Sequence, residues 1–335
     1  GDFDGDGITD LAIGIPDEST GTVADEGGVQ LLRGARTGLA AWRYWNILSA
    51  TGGTTDELCN CRFGAALAAG DFNDDGKTDL AIGGPNESGQ AIDFRSLEAV
   101  GSVTVLYGSD AGLSALGFKR IPGGVVAAYR GASLAAGDHD GDGRDDLAVG
   151  APGNDQVSVY FGSPAGLRTD TGVSYHDWDE FGDRDSSQFG RSLAMGDVNG
   201  DGKHELFVGA PLDGVGDVLD AGAVFEYHSD GLTRQYTQRS LPGVAAEQGD
   251  RFGWALAVGD FDRNGRADLA IGTPNEDTTA GSDAGIVTVL SSYGTGVLDT
   301  QSAKTWSQAS TGVPGAAEAG DRFGAALAAC NLGNS

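Results

Sequence analysis

One fifteen-residue phrase, DHDGDGRDDLAVGAP at Asp138 to Pro152, returns in varied form five times, and any fold for this chain has to accommodate every copy. Acids stand at alternate positions, a glycine follows, and the chain then runs into an apolar strand that stops at Gly-x-Pro. The strands read DLAIGIP to Pro16, DLAIGGP to Pro85, DLAVGAP to Pro152, ELFVGAP to Pro211 and DLAIGTP to Pro274. Proline ends pairing there because it has no N–H to donate. The loops begin at residues 2, 71, 138, 197 and 260, a period of roughly 60 to 70 residues that marks a repeat architecture.

The alternation lets Asp138, Asp140 and Asp142 converge if the backbone curls, and Asp146 closes the ring. Gly143 supplies a turn that residues with a Cβ resist, and the Arg144 carbonyl is a natural extra oxygen. Such an all-oxygen set suits calcium better than magnesium, which demands a small octahedral shell and keeps its waters. An acidic solvent-exposed turn would use the same residues. Recurrence argues against it, because oxygen-bearing side chains keep the same four offsets at Asp2, Asp4, Asp6 and Asp10; Asp71, Asn73, Asp75 and Asp79; Asp197, Asn199, Asp201 and Glu205; and Asp260, Asp262, Asn264 and Asp268. An EF-hand would need Glu at the twelfth loop position and flanking helices, but the first loop has Ile13 there in a β-like run.

After each Gly-x-Pro comes a variable polar stretch, then an alternating run: GVQLLRG from Gly28, GSVTVLYG from Gly101, QVSVYFG from Gln156, GAVFEYHS from Gly222 and GIVTVLSS from Gly285. These read as half-buried strands, with Val103 and Val105, or Val157 and Val159, on one face. Turns such as GSDAGL and GSPAGL follow, then a weaker strand, and then the signal that opens the next unit: FG at Phe63-Gly64, Phe189-Gly190, Phe252-Gly253 and Phe323-Gly324, displaced to Tyr129-Arg130-Gly131 in the third unit. The small-residue runs after FG predict a crowded inner strand rather than a helix, since flanking glycines leave room for only two turns. The chain therefore reads as one all-β domain, residues 1–335, with units at 1–62, 63–130, 131–188, 189–251 and 252–322 and a closing strand at 323–335. Four-stranded antiparallel units at this spacing predict a β-propeller. Either the final FG strand completes the first blade, giving five blades, or the chain belongs to a six- or seven-bladed ring.

FG at 63, 189, 252 and 323, the five acidic loops, and GAP in full at Gly150-Ala151-Pro152 and Gly209-Ala210-Pro211 together resemble the FG-GAP repeats of the integrin alpha-subunit propeller and of bacterial integrin-like proteins. The resemblance spans essentially the whole chain. It implies a propeller with calcium in the loops between the first and second strands of each blade, up to five ions, with the carbonyls of Ile8, Lys77, Arg144, Lys203 and Arg266 as additional ligands. Two departures stand out: Glu205 is one methylene longer than the usual final Asp, and Asn264 lowers the charge of the fifth loop.

The net charge is −28, from 49 acids and 21 bases, and 17 of those acids stand at the candidate ligand positions of the five loops. Five calcium ions would offset ten charges and leave about −18. This balance excludes nucleic acid as a partner and disfavours an anionic membrane. No run of about 18 apolar residues exists, so no membrane insertion is expected. Three cysteines, Cys59, Cys61 and Cys330, are too few for a disulfide framework, and their pairing is open. Millimolar calcium outside cells would keep loops of moderate affinity filled, so an extracellular, secreted or cell-surface location is expected.

In an antiparallel blade the acidic loops fall on one face of the ring and the variable connections on the other. Variable loops on a rigid scaffold are where recognition is placed. The expected function is a calcium-stabilised binding or adhesion module for a protein or glycan, with Trp178 and Phe181 in HDWDEFGDRDSSQ as the ligand-face candidates. Two alternatives share the fold: a non-catalytic domain or scaffold of a secreted hydrolase or lyase, and a structural subunit of an extracellular assembly. No enzyme is expected: there are four histidines, no HExxH and no GxSxG, and His139 and His204 sit inside acidic loops.

Overall fold

In four of the five sheets the apolar run that follows the acidic loop is a fully buried antiparallel strand, whereas in the first sheet the equivalent run, Leu11–Ile15, stays partly exposed. The computed structural model describes all residues except 20–24, 47–48, 51–59, 91–95, 98, 126, 171, 178–186, 295 and 330–335. The first sheet contains β1 (Leu11–Ile15), β2 (Gly28–Arg33) and β3 (Ala40–Trp45) in that order. The second contains β4 (Ala66–Gly70), β5 (Asp79–Gly84), β6 (Ser102–Tyr107) and β7 (Ser114–Pro122). The third runs β8 (Ser133–Gly137), β9 (Asp146–Ala151), β10 (Gln156–Tyr160) and β11 (Gly172–His176).

The fourth runs β12 (Ser192–Gly196), β13 (Glu205–Ala210), β14 (Ala223–Tyr227) and β15 (Thr233–Tyr236). The fifth runs β16 (Ala255–Gly259), β17 (Asp268–Thr273), β18 (Ile286–Leu290) and β19 (Lys304–Trp306). All neighbours are antiparallel and follow chain order, as expected for blades, with short two-stranded hairpins inserted at Gly89–Gln90 with Ser96–Leu97 and at Ser292–Tyr293 with Val297–Leu298. Contacts divide the chain into two compact units, Gly1–Asp138 with Asp142–His176, and His139–Gly141 with Asp177–Ser335. The first three sheets belong to the former and the last two to the latter. Among the described residues no helix is long and apolar enough to cross a membrane.

The small-residue runs after FG are strands. In four sheets the closing acid of the loop pairs in register with the glycine that ends this inner strand: Gly70 with Asp79, Gly137 with Asp146, Gly196 with Glu205 and Gly259 with Asp268. The strands named β6 and β10 are more enclosed than their alternation predicts: every residue of β6 is buried, and so are the central three of β10. Thr104 and Ser158 are thus interior as well as the valines. No strand runs over 323–329; Phe323-Gly324 keeps the FG turn, with the Phe323 N–H donating to the Ala284 carbonyl at 2.9 Å.

The two glycines of the repeat explain one another. A Cβ on Gly83 would lie 2.0 Å from the Gly131 carbonyl oxygen, one on Gly209 2.1 Å from that of Gly253, and one on Gly272 2.1 Å from that of Gly324. The Gly of Gly-x-Pro thus lets the next FG turn approach backbone to backbone, and Gly64, Gly190 and Gly253 hold φ of +92°, +87° and +84°. Phe63, Phe189 and Phe252 fill the core beside them. In the third repeat Arg130, rather than an aromatic, takes the Phe position: Gly101 bridges Arg130 as Gly27 bridges Phe63, and the guanidinium donates to the Tyr160 hydroxyl at 3.2 Å. Cys61 is buried and disulfide-bonded, and the other two cysteines lie outside the described residues.

The close approach is testable at one atom. Gly209→Ala should lose about 1–3 kcal/mol, as overpacking against a backbone oxygen does, and this will register as a lower melting temperature. Gly124, whose added Cβ meets nothing within 4 Å, is the control, and Gly124→Ala should melt with the parent.

Candidate metal centres and the opposite face

Each acidic loop is folded by its own side chains. The first acid wraps the turn: Asp2 Oδ2 accepts the Gly7 N–H at 2.8 Å, Asp71 Oδ2 that of Gly76 at 2.8 Å, Asp138 Oδ2 that of Gly143 at 2.9 Å, Asp197 Oδ2 that of Gly202 at 2.9 Å, and Asp260 Oδ2 that of Gly265 at 3.0 Å. The glycines meet this with φ between +79° and +87°. The third position repeats the device, Asp6, Asp75, Asp142, Asp201 and Asn264 accepting the N–H of Ile8, Lys77, Arg144, Lys203 and Arg266.

The closing acid does more. Asp79 Oδ2 accepts the Phe72 N–H at 3.0 Å while Oδ1 accepts the Gly108 N–H at 2.8 Å, so one carboxylate ties the loop to the turn after β6. Asp10 does the same with Phe3 and Gly34, and Asp268 with Phe261 and Ser292. The acidic loops and the GSxxGL-type turns therefore share one edge of their sheets, as the sequence predicts. Burial, with the loop's own acids adding to it, pushes the Asp79 carboxyl up to about 7 in spite of both N–H donors.

Three loops gather acidic oxygens within 4.8 Å of one another: Asp2, Asp4 and Asp6; Asp138, Asp140 and Asp146; and Asp260, Asp262 and Asp268. In the second and fourth loops Asn73 and Asn199 hold the second position, and their Oδ1 atoms accept the Asp75 and Asp201 N–H at 3.0 and 2.7 Å, as Asp4 does for Asp6 at 3.1 Å. An oxygen-only donor set on a preformed glycine turn fits a hard divalent cation. In the first loop the Arg33 guanidinium already lies 2.5 Å from Asp4 and 3.0 Å from Asp6.

The fourth loop differs in a way its sequence only hints at. Glu205, one methylene longer, reaches His228, whose Nδ1 lies 3.2 Å from Oε1. Beyond it, His228 Nε2 is 2.5 Å from Glu226 Oε1, Arg234 donates to the same oxygen at 2.9 Å, and the Tyr236 hydroxyl donates to Glu226 Oε2. Burial raises Glu205 to about 7, and burial with Glu226 beside it pushes the Tyr236 phenol far up. Glu226 and Tyr236 lie on adjacent strands, so only the register of β14 against β15 brings them together. His139 is buried, with Nδ1 2.8 Å from the His204 carbonyl, and burial lowers its pKa.

On the opposite edge the variable connections have pinned bases. The Gly222 N–H donates to the Asp213 carbonyl at 2.9 Å, Gly285 to Glu276 at 3.0 Å, Gly101 to Glu87 at 3.0 Å and Gly27 to Glu18 at 2.9 Å. Glu87 also pairs with Arg120 and accepts from Ser102. Among the described residues no cation meets Glu276: Gln238 Nε2 donates to it at 2.6 Å, and burial, together with Asp250, raises its carboxyl to about 8. Trp178 and Phe181 lie outside the described residues.

These features define a class before any comparison: an all-β repeat protein whose blades are stapled by acidic loops and FG turns. The chain belongs to the FG-GAP repeat family, whose profile matches residues 1–32, 63–106, 130–175, 189–227 and 252–290, and its fold class is that of a β-propeller. It is 32% identical over 234 residues to integrin alpha-PS2 of Drosophila melanogaster, covering 64% of this chain and 15% of that protein. It is 31% identical over 165 residues to the phosphatidylinositol-glycan-specific phospholipase D of Mus musculus, covering 45% of this chain and 18% of that one. The rhamnogalacturonan lyase YesW aligns at a TM-score of 0.48 and 16% identity, over 89% of this chain and 48% of that one. The chain thus spans about a sixth of the length of the curated relatives named here.

Two expectations follow from the buried acids. Tyr236→Phe removes one donor from Glu226 and should cost about 1–3 kcal/mol in chemical denaturation. For Glu276 the folded chain keeps a proton that the unfolded chain releases, so its stabilisation is complete below about pH 4.5 and is lost as pH rises through about 8. Glu276→Gln should therefore flatten the fall in melting temperature between those two pH values.

Proposed function

We propose that this chain is an extracellular, calcium-stabilised β-propeller module that binds a protein or glycan ligand through the face opposite its acidic loops. The observation that carries the reading is the division of labour along each sheet. At one edge the loops repeat the same side-chain hydrogen bonds in every unit; at the other, connections of unlike sequence rise from equivalent pinned bases. A scaffold repeated for stability and loops varied for recognition account for both.

Calcium fits the three acid clusters, and the carbonyls of Ile8, Lys77, Arg144, Lys203 and Arg266 follow the turn glycines where a further oxygen is needed. The buried disulfide-bonded Cys61 supports an oxidising, extracellular compartment. The integrin alpha relatives favour a protein ligand. The similarity to a phospholipase D favours a second reading, in which the propeller is a non-catalytic domain of a secreted hydrolase.

Calcium that binds only the folded chain stabilises it by about 2.7 kcal/mol per site at a hundredfold excess over Kd. Chelation with EDTA should lower the melting temperature by several degrees, restored by calcium and poorly by magnesium. An unchanged melt would remove calcium from the account. Arrays of extracellular proteins and glycans then test binding: ligands lost on substitution within 213–221 or 275–284 support the module, whereas turnover of a bound substrate would make the chain an enzyme.

A further inference from the structure

The residue after FG is alanine in three repeats, Ala65, Ala132 and Ala325, but Arg191 in the fourth and Trp254 in the fifth. These two positions begin the approach to β12 and β16, whose far ends enter the loops at Asp197 and Asp260. Five residues of strand put them about 17 Å from the acidic loops, at the variable edge.

The Arg191 guanidinium carbon lies 4.6 Å from the Trp254 ring centroid, and that of Arg251 lies 5.3 Å from the same ring. Arg251 and Trp254 are held by one tight turn, the Trp254 N–H donating to the Arg251 carbonyl at 3.1 Å with Arg251 at φ +61°. All three side chains are half-buried. Among the described residues neither guanidinium makes an ion pair or a hydrogen bond, and Arg251 Nε is buried without a partner. Burial lowers the Arg191 pKa, which shows what holding this cation there costs.

Arg191 and Arg251 meet no acid among the described residues of this chain of net charge −28. Elsewhere Arg33, Arg62, Arg120, Arg144 and Arg234 each meet an acid. The nearest acid in sequence, Asp250, is engaged otherwise, accepting the Glu247 N–H at 2.6 Å. Cation–π stacking offsets part of the desolvation and leaves the terminal N–H groups of both forks free to meet solvent or a ligand.

We propose that Arg191, Arg251 and Trp254 form a binding site for a single carboxylate, presented by an acidic side chain of a protein ligand. The inference rests on the binding-module reading above and supplies the chemistry of its ligand. A planar carboxylate matches the guanidinium fork bidentately, and the indole holds both forks in place before the ligand arrives. The same net charge argues against a polyuronate, whose many carboxylates the acidic surface would repel, and not against one acid on a neutral or basic segment.

The test uses the full chain in calcium, following the Trp254 indole N–H by NMR, with Trp254→Phe to assign it. The probes are a blocked glycine pentapeptide with one central aspartate, the same peptide with asparagine, and a trigalacturonate. The aspartate peptide should shift the resonance saturably and bind at least about tenfold more tightly than the asparagine peptide. Arg191→Gln with Arg251→Gln should abolish the difference; if that pair fails to fold, Arg191→Lys with Arg251→Lys should weaken binding while keeping the charge. Equal binding of the two peptides, or no saturable shift, overturns the proposal, and tighter binding of trigalacturonate overturns the protein ligand in favour of a glycan. A ligand from the arrays that binds the double variant unchanged would leave the module reading standing and remove the carboxylate site.

Discussion

The constraint on which the rest of this structure depends is the carboxylate that closes each acidic loop. Asp10, Asp79 and Asp268 each accept one N–H from inside the loop and one from the turn after the third strand, so a single side chain fixes three backbone segments. Charge-assisted hydrogen bonds are strong, yet burial still wins at Asp79 and drives its carboxyl toward the neutral form. Hydrogen bonding alone does not balance the desolvation; a hard cation at the same oxygens would. The acids that look like a ligand set are thus also the pins of the sheet edge, so a cation bound there would link its affinity to blade stability.

Within each of the two units, adjacent repeats are joined by backbone hydrogen bonds as well as by side chains. The Thr78 N–H donates to the Asp2 carbonyl at 2.9 Å, Asp145 to Asp71 at 3.1 Å and Ala267 to Asp197 at 2.9 Å, linking the first loop to the second, the second to the third and the fourth to the fifth. The FG glycine against the Gly-x-Pro glycine does the same further along the strands. Because these contacts use no side chain, the positions around them can vary. Arg130 can replace a core phenylalanine, and Glu205 can add a buried pair with His228 while still accepting the Val198 N–H at 3.0 Å, without loss of the repeat.

The repeated contacts were legible in the sequence, and the single ones were not. Fixed offsets exposed all five loops, the strands beginning at Asp79, Asp146, Glu205 and Asp268, and the stop at Gly-x-Pro. The inner strands were readable against their helical composition only because flanking glycines bounded them. Glu226 with His228, Arg234 and Tyr236 belongs to one repeat alone, and depends on the register of β14 against β15, which no periodicity encodes. Arg191 and Trp254 left a signal, since aligning the repeats places a cation and an indole where three alanines stand, but their meeting is a tertiary fact. Trp178 and Phe181, which stood out by aromatic content, lie outside the described residues.

The central claim is that the loops are scaffold and the opposite edge is free to recognise. Hydrogen exchange measured with and without calcium, resolved along the chain, tests it most directly. The account predicts that calcium raises protection at Gly76, Gly143 and Gly265 and along β5, β9 and β17, while 213–221 and 275–284 exchange as before. Protection gained chiefly in those connections, with the loop glycines unchanged, would contradict it.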